Sequence, residues 1–311
     1  TAEQGVITTD ELFELDQLPA RIGVMGLGAV GLEMSLALSR LGIQVTAVGT
    51  GTLGNSQDPE IARAAEQRFG REFTLWLGER AELEAKGQGW LLKAGQRQAE
   101  VDLVIAALGR QLNHDHLDLA AAGVPLDERG NPLVDANTLQ AGNSGIFIAG
   151  DANGQRALMH EAADEGAMAG FNACQDQPRA FRRKVPLAIA FSDPDLCSVG
   201  QSLDQLDPAQ ILIGSASGSS NGRARILGAE DGLIRLYADK HSGRLLGASL
   251  LCSAGEHLAH QLAWAIQRGE TAQSLLEMPF YHPVIEEMLA SALQGIAKHF
   301  AASDRPLGIP D

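Results

Sequence analysis

The chain has 311 residues, enough for about two domains with ample core. Its 45% hydrophobic and 20% charged content is ordinary for a globular protein, and a net charge of −15 argues against general nucleic-acid binding, which works through Lys and Arg. No apolar run approaches the ~20 residues of a membrane span and no secretion signal opens the chain, so the expectation is a soluble, cytoplasmic protein with neither nucleic-acid nor membrane partners.

Thr1 to Leu18 is polar, acidic and weakly periodic, and it reads as a connecting arm before Pro19. The next stretch is the most informative. An apolar run from Ile22 to Met25 leads into Gly26-x-Gly28-x-x-Gly31, and helix-forming residues follow to Leu41. That order predicts a strand, a tight turn and a helix whose N-terminus faces a diphosphate. Gly26 makes the turn, Gly28 lets the phosphates approach the backbone, and Gly31 lets helix and strand pack closely. The open amides of the first helical turn then meet the negative charge. A plain structural turn is the rival reading.

Gln44 to Val48 reads as a second strand and Pro59 to Phe69 as a helix with Pro at its start. Phe73 to Leu77 is another strand, alternation around Lys86 to Gly89 suggests a bordering hairpin, and Leu103 to Leu108 is a buried strand ending at Gly109-Arg110. Strands alternating with helices imply a doubly wound, Rossmann-type α/β domain.

Gly145 to Ala149 is a further apolar run closing on Gly150-Asp151, and an Ala-rich helix runs through Cys174. Arg179 to Lys184 is basic and hinge-like. Beyond it the pattern changes to an α+β domain. Leu233 to Tyr237 and Leu245 to Leu251 are strands around the turn Lys240 to Gly243, and helices span Ala254 to Arg268 and Val284 to Phe300. In the last helix Ile285, Met288, Leu289, Leu293, Ile296 and Phe300 form one apolar face, which suits a core or an interface equally. Ser215 to Gly222 reads as a Gly/Ser-rich loop. Cys174, Cys197 and Cys252 are too far apart for a short dithiol or zinc pattern and read as small buried apolar residues.

Two places could carry chemistry. With Pro283 at the first helical position, His282 lies just outside the helix and can fold back onto a carboxylate in the first turn. A carboxylate on one ring nitrogen fixes the tautomer and leaves the other nitrogen as a proton acceptor. The rival is a capping histidine beside a solvated acidic turn. Asp151, at the carboxyl end of a presumed strand, can reach a ligand hydroxyl; a simple turn or cap is the alternative.

Taken together, the glycine turn with Leu32-Glu33, Ala107-Leu-Gly-Arg-Gln-Leu-Asn113, Ile148-Ala-Gly-Asp151 and His282-Pro-x-x-x-Glu287 occur in an order that resembles the flavin-dependent pyridine-nucleotide disulfide oxidoreductases, the dihydrolipoamide-dehydrogenase-like family. Phe191-Ser-Asp-Pro through Gly200, Asn221-Gly-Arg-Ala-Arg225 and Gly247 through Glu256 extend the agreement, which covers about Gly5 to His299. The resemblance implies a connecting arm (1–19), an NAD(P)-binding domain (20–140), the closing segment of an FAD domain (141–182) and a dimerisation domain (183–311). It also implies cofactor contacts from Gly26, Gly28, Gly31, Gly109 and Gly150. Glu33 would lie by the nicotinamide, Asp151 would hold the flavin's ribityl chain, and Leu158, Met159 and His160 would start the helix beneath the isoalloxazine. His282 would be the acid/base that handles a thiol, oriented by Glu287, in a homodimer where the pair serves the partner subunit's site. Electrons would pass between a dithiol such as dihydrolipoamide, FAD and NAD, with NADP also open.

Departures from the family pattern matter as much. The flavin-binding glycine fingerprint and the short-spaced redox cysteine pair with which the family begins are not in this sequence, so the expectation is a C-terminal portion of a longer enzyme, inactive alone. Gly49 stands where NAD users place an acidic residue for the ribose diol, and the next cation is Arg63. Leu112 replaces a usual proline. A second expectation follows from Gly49: a divergent dimerising scaffold whose nucleotide site has lapsed.

Overall fold

Residues 5–114 and 116–301 are described in a computed structural model. The first sheet contains β1 (Val6–Ile7), β2 (Arg21–Met25), β3 (Gln44–Gly49), β4 (Thr74–Leu77) and β8 (Leu103–Ala106). They lie in the order β1-β8-β2-β3-β4, parallel throughout. Ile22, Val24, Ala47, Val104 and Ile105 are fully buried, as strands covered on both faces require. Helices α2 (Ala29–Arg40) and α3 (Pro59–Phe69) make the crossovers. The start of α3 is fixed by Asp58, whose carboxylate accepts the Glu60 and Ile61 amides, and by Pro59 directly after it. The hairpin expected at Lys86 to Gly89 joins β5 (Glu82–Lys86) to β6 (Gly89–Ala94), and β7 (Arg97–Val101) completes a small antiparallel sheet.

The presumed connecting arm is partly structured. Val6 and Ile7 add β1 to the edge of the parallel sheet, and α1 (Thr9–Leu12) is closed by a capping box between Thr8 and Glu11. Ile7 and Leu12 are buried. Two strand residues and one helical turn are too short to register as a periodicity.

The second large sheet is antiparallel and comprises β9 (Leu187–Ala190), β10 (Asp195–Gly200), β11 (Ile211–Ser217), β12 (Leu233–Asp239) and β13 (Leu245–Cys252), in the order β11-β12-β13-β10-β9. It is accompanied by α5 (Gly222–Leu227), α6 (Gly255–Arg268), α7 (Ala272–Leu276) and α8 (Glu287–Ala297). Ser215 to Ser217, expected in a loop, belong to β11 and pair with Arg235, Ile234 and Leu233. The small residues serve packing: a Cβ on Gly214 would lie 2.0 Å from the Ala292 carbonyl, so α8 can rest on the strand only because there is none. The apolar face of α8 is core, since Ile285, Met288, Leu289, Leu293 and Ile296 are buried against this sheet. Phe300 lies past the helix end but packs on the same cluster. The helix begins at Glu287 rather than Val284, so Pro283 is not its first residue. Cys197 and Cys252 are buried as expected; Cys174 is exposed at the end of a helix described next.

By internal contact the chain divides into two compact units, one running to Gly109 and resuming at Val185, the other Arg110–Lys184. The second boundary falls at the end of the basic stretch read as a hinge. In the smaller unit, α4 (Met159–Ala173) is the long Ala-rich helix. Gly145 to Ala149 does not form a regular strand; Phe147 makes only an isolated bridge to Gln140. Asp151 therefore closes no strand and lies in a 3-10 turn, Gly150–Asn153.

Candidate functional site

The three glycines of the turn after β2 have different surroundings. Gly26 has φ +94, and a Cβ there would come within 2.2 Å of the Ala107 carbonyl. A Cβ on Gly31 would lie 1.9 Å from the Gly26 carbonyl. Around Gly28 there is open space, with only Asn55 Nδ2 at 3.4 Å. The first and third glycines are thus demanded by packing, and the middle one keeps a surface clear. No side chain caps α2, whose first intrahelical bond is Leu32 N–H to the Gly28 carbonyl, so the preceding amides are open to a ligand. Gly109 ends the segment after β8 with φ +102.

Glu33 on α2 accepts the Phe191 N–H at 2.9 Å and thereby ties this helix to the residue after β9. At the end of β3, Gly49 is buried against Leu27, and Thr50, Gly51 and Thr52 are exposed. Asp58, nine residues on, is fully buried; its Oδ2 accepts from Arg235 Nε and Tyr237 Oη, each at 2.6 Å. Burial opposes ionisation of Asp58, but the Tyr237, Arg235 and Glu60 hydrogen bonds outweigh it and hold the carboxyl below its ordinary range. Arg235 Nη1 also pairs with Glu60 at 2.6 Å. Sequence reading missed this cluster, because the partners are 177 and 179 residues apart.

In the smaller unit, Asp151 is exposed and bonded by Arg110 Nη1 at 2.9 Å. Its turn is held from beneath by Glu165, which is 0% exposed. Glu165 Oε2 accepts the Gly150 N–H at 2.7 Å and Asn153 Nδ2 at 2.6 Å, and Oε1 accepts Arg183 Nη1 at 2.5 Å. Glu161, one helical turn earlier and also buried, is paired by Arg156 at 2.6 Å. Neither acid was singled out in the sequence, although acids four residues apart on an Ala-rich helix were a visible signal. Leu158, Met159 and His160 are all exposed, Met159 at 90%, at a helix start that has no side-chain cap. An apolar, uncapped helix start suits a flat aromatic ring system laid over it, and the polar, tethered Asp151 suits a polyhydroxylated chain.

The His282–Glu287 pair is formed: His282 Nδ1 and Glu287 Oε1 are 2.9 Å apart, and Glu287 Oε2 accepts the Val284 N–H at 3.1 Å. The His282 bond and then the Val284 amide hold the Glu287 carboxyl below its ordinary value. The His282 side chain is 77% exposed, so its Nε2 edge is accessible. Pro283 is joined through a cis peptide, and the imidazole reaches Glu287 from outside the helix. Cys197 and Cys252 cannot act as a reactive pair here; burial raises both thiols, Cys252 to about 12. No helix among the described residues is long and apolar enough to cross a membrane.

Comparison with known proteins gives a consistent picture. The family model for pyridine nucleotide-disulphide oxidoreductases matches residues 2–166, and the model of that family's dimerisation domain matches residues 186–293. A mercuric reductase from Streptomyces lividans is 30% identical over 305 residues, covering 95% of this chain and 63% of that protein. A dihydrolipoyl dehydrogenase from Bacillus subtilis is 29% identical over 308 residues, covering 94% of this chain and 66% of that protein. The chain thus spans somewhat under two thirds of these relatives' length. Among solved structures, an HOCl-induced flavoprotein disulfide reductase from Escherichia coli, as its Cu(II) complex, superposes with a TM-score of 0.83 at 24% identity, over 93% of this chain and 67% of that one, a likeness of fold.

Proposed function

The chain belongs to the pyridine nucleotide-disulphide oxidoreductase family, and from that premise we propose that its residues supply the nucleotide-binding and interface parts of an FAD-dependent, NAD(P)-linked oxidoreductase of the dihydrolipoamide-dehydrogenase type. The observation that carries this reading is the contrast among the glycines: two are enforced by contacts near 2 Å, while Gly28 keeps a clear approach to an open helix N-terminus. A purely structural turn has no need of that clearing. The pyrophosphate would rest on the backbone at Gly28 and the first amides of α2, with residues 20–140 as the nicotinamide-nucleotide region.

FAD, when bound, would supply two-electron transfer between nicotinamide and sulfur, held in part by Asp151 and by the Leu158–Met159–His160 helix start. Residues 141–182 would belong to its domain, with Glu165 fixing the Gly150 amide and so the direction of Asp151. His282 would take a thiol proton at Nε2 as the sulfur becomes a nucleophile, and return it in the reverse direction. Glu287 holds Nδ1 so that this nitrogen faces inward and Nε2 outward. Overall a dithiol would lose two electrons and two protons to become a disulfide, and NAD⁺ would gain a hydride with one proton released. The thiols come from elsewhere, since Cys197 and Cys252 are buried and Cys174 has no neighbour of its kind. Residues 183–311 would form a homodimer, in keeping with the dimerisation-domain match.

Gly49 favours a second reading, a dimerising scaffold without nucleotide affinity. Titration with NADH, followed by tryptophan emission, separates the two. Saturable binding that Gly28→Val abolishes supports the oxidoreductase; silence at millimolar NADH supports the scaffold.

A further inference from the structure

We propose that the adenosine end of this site accepts NAD(H) and NADP(H) without discriminating between them; the inference rests on the dinucleotide site proposed above. In a sheet of this kind the ribose 2′ position is read at the carboxyl end of the second βαβ strand, where a carboxylate accepts the diol or a cation receives the 2′-phosphate. Here that strand is β3, which ends at Gly49. A side chain rooted at Gly49 would meet Leu27, whose Cβ lies 3.0 Å and Cδ1 3.2 Å from the Cβ position. Leu27 belongs to the glycine turn itself, so the turn and the missing acid are two sides of one packing arrangement.

The following segment, Thr50-Gly-Thr-Leu-Gly-Asn-Ser-Gln57, contains no ionisable residue. The first carboxylate after it, Asp58, is closed off: both oxygens are occupied, one by the Glu60 and Ile61 amides, the other by Arg235 and Tyr237. Glu60 is paired with Arg235. Thr52 Oγ1 donates to the Ser56 carbonyl and Gln57 Nε2 to the Asn55 carbonyl, which leaves the exposed Thr50 hydroxyl and the Asn55 amide facing outward. Hydroxyl and amide groups bond to a ribose hydroxyl or to a phosphate oxygen alike. Neither attracts or repels a phosphate dianion by charge, so this segment favours neither coenzyme over the other.

The test is equilibrium dialysis of the 311-residue protein against NADH and NADPH separately. It is run at 0.15 M salt, where a Debye length of about 8 Å screens the protein's overall negative charge. Dissociation constants within fivefold of each other support the inference, and a preference of fivefold or more for either coenzyme overturns it. Absence of binding for both at millimolar concentration rejects the dinucleotide site itself, a distinguishable failure. Thr50→Glu, an exposed substitution, restores a carboxylate to the segment. It should shift the NADPH-to-NADH ratio of dissociation constants upward by tenfold or more; an unmoved ratio removes this segment as the determinant.

Discussion

Asp58→Ala tests the physical account of how the start of α3, beside the parallel sheet, is fixed to β12 of the antiparallel sheet. The wild-type carboxylate is fully buried and does two things: Oδ1 caps α3, and Oδ2 receives Arg235 and Tyr237. Losing an N-cap costs about 1 kcal/mol. Removing one partner of a buried ion pair costs about 3–5 kcal/mol, because the other charge stays behind. The Arg235 side chain is only 10% exposed, yet it keeps Glu60, which is half exposed and offsets part of that loss. The expected destabilisation is about 4 kcal/mol, at the upper end for single substitutions. Urea unfolding followed by tryptophan emission reads it directly, since Trp76, Trp90 and Trp264 all lie in the larger unit. A double-mutant cycle with Arg235→Met should show coupling above about 0.5 kcal/mol. A loss below about 1 kcal/mol, or simple additivity, would refute the reasoning. The pH dependence has a defined sign. A carboxyl depressed in the folded state contributes stability fully present above its unfolded pKa, ~3.9, and lost as pH falls through the lower folded value. The gap between wild type and Asp58→Asn should therefore be constant at neutral pH and shrink below about pH 4.

Gly28→Ala and Gly31→Ala should separate binding from folding. The first places its Cβ in open space and should lower nucleotide affinity with little change in urea midpoint, while the second collides with the Gly26 carbonyl and should destabilise by about 1–3 kcal/mol or more. In the flavin-loaded full-length enzyme, His282→Gln should slow dithiol oxidation about 10²- to 10⁴-fold while flavin reduction by NADH persists; equal turnover would remove His282 from the mechanism. Glu165→Ala leaves the Gly150 amide without its buried acceptor, so hydrogen exchange at Gly150 should accelerate about tenfold, ~1.4 kcal/mol, as read by mass spectrometry. Unchanged exchange would show that the turn is held by other contacts.

The sequence determined what short-range pattern can determine. The apolar run, three spaced glycines and helix formers from Ile22 to Leu41 are contiguous, so β2, the turn and α2 are legible together. His282 and Glu287 are near enough in sequence for their pairing to be expected, and the 3.6-residue period of α8 showed which side is apolar. It left open what covers that side, because hydrophobicity has no direction; the antiparallel sheet decided it. The edge strand β1, the extension of β11 through Ser217 and the 3-10 turn at Asp151 depend on neighbours supplied from afar, and local composition pointed elsewhere.

Only the tertiary structure decided where the buried charges go. Asp58 with Arg235 and Tyr237, and Glu165 with Gly150 and Arg183, are unremarkable letters until folding brings them together. A buried carboxylate is tolerable only where donors converge on it, and convergence across 177 residues is a property of the packed sheets, not of any segment. The same packing withholds Asp58 from the proposed nucleotide site, so a carboxylate plainly visible in the sequence is closed to solvent in the fold.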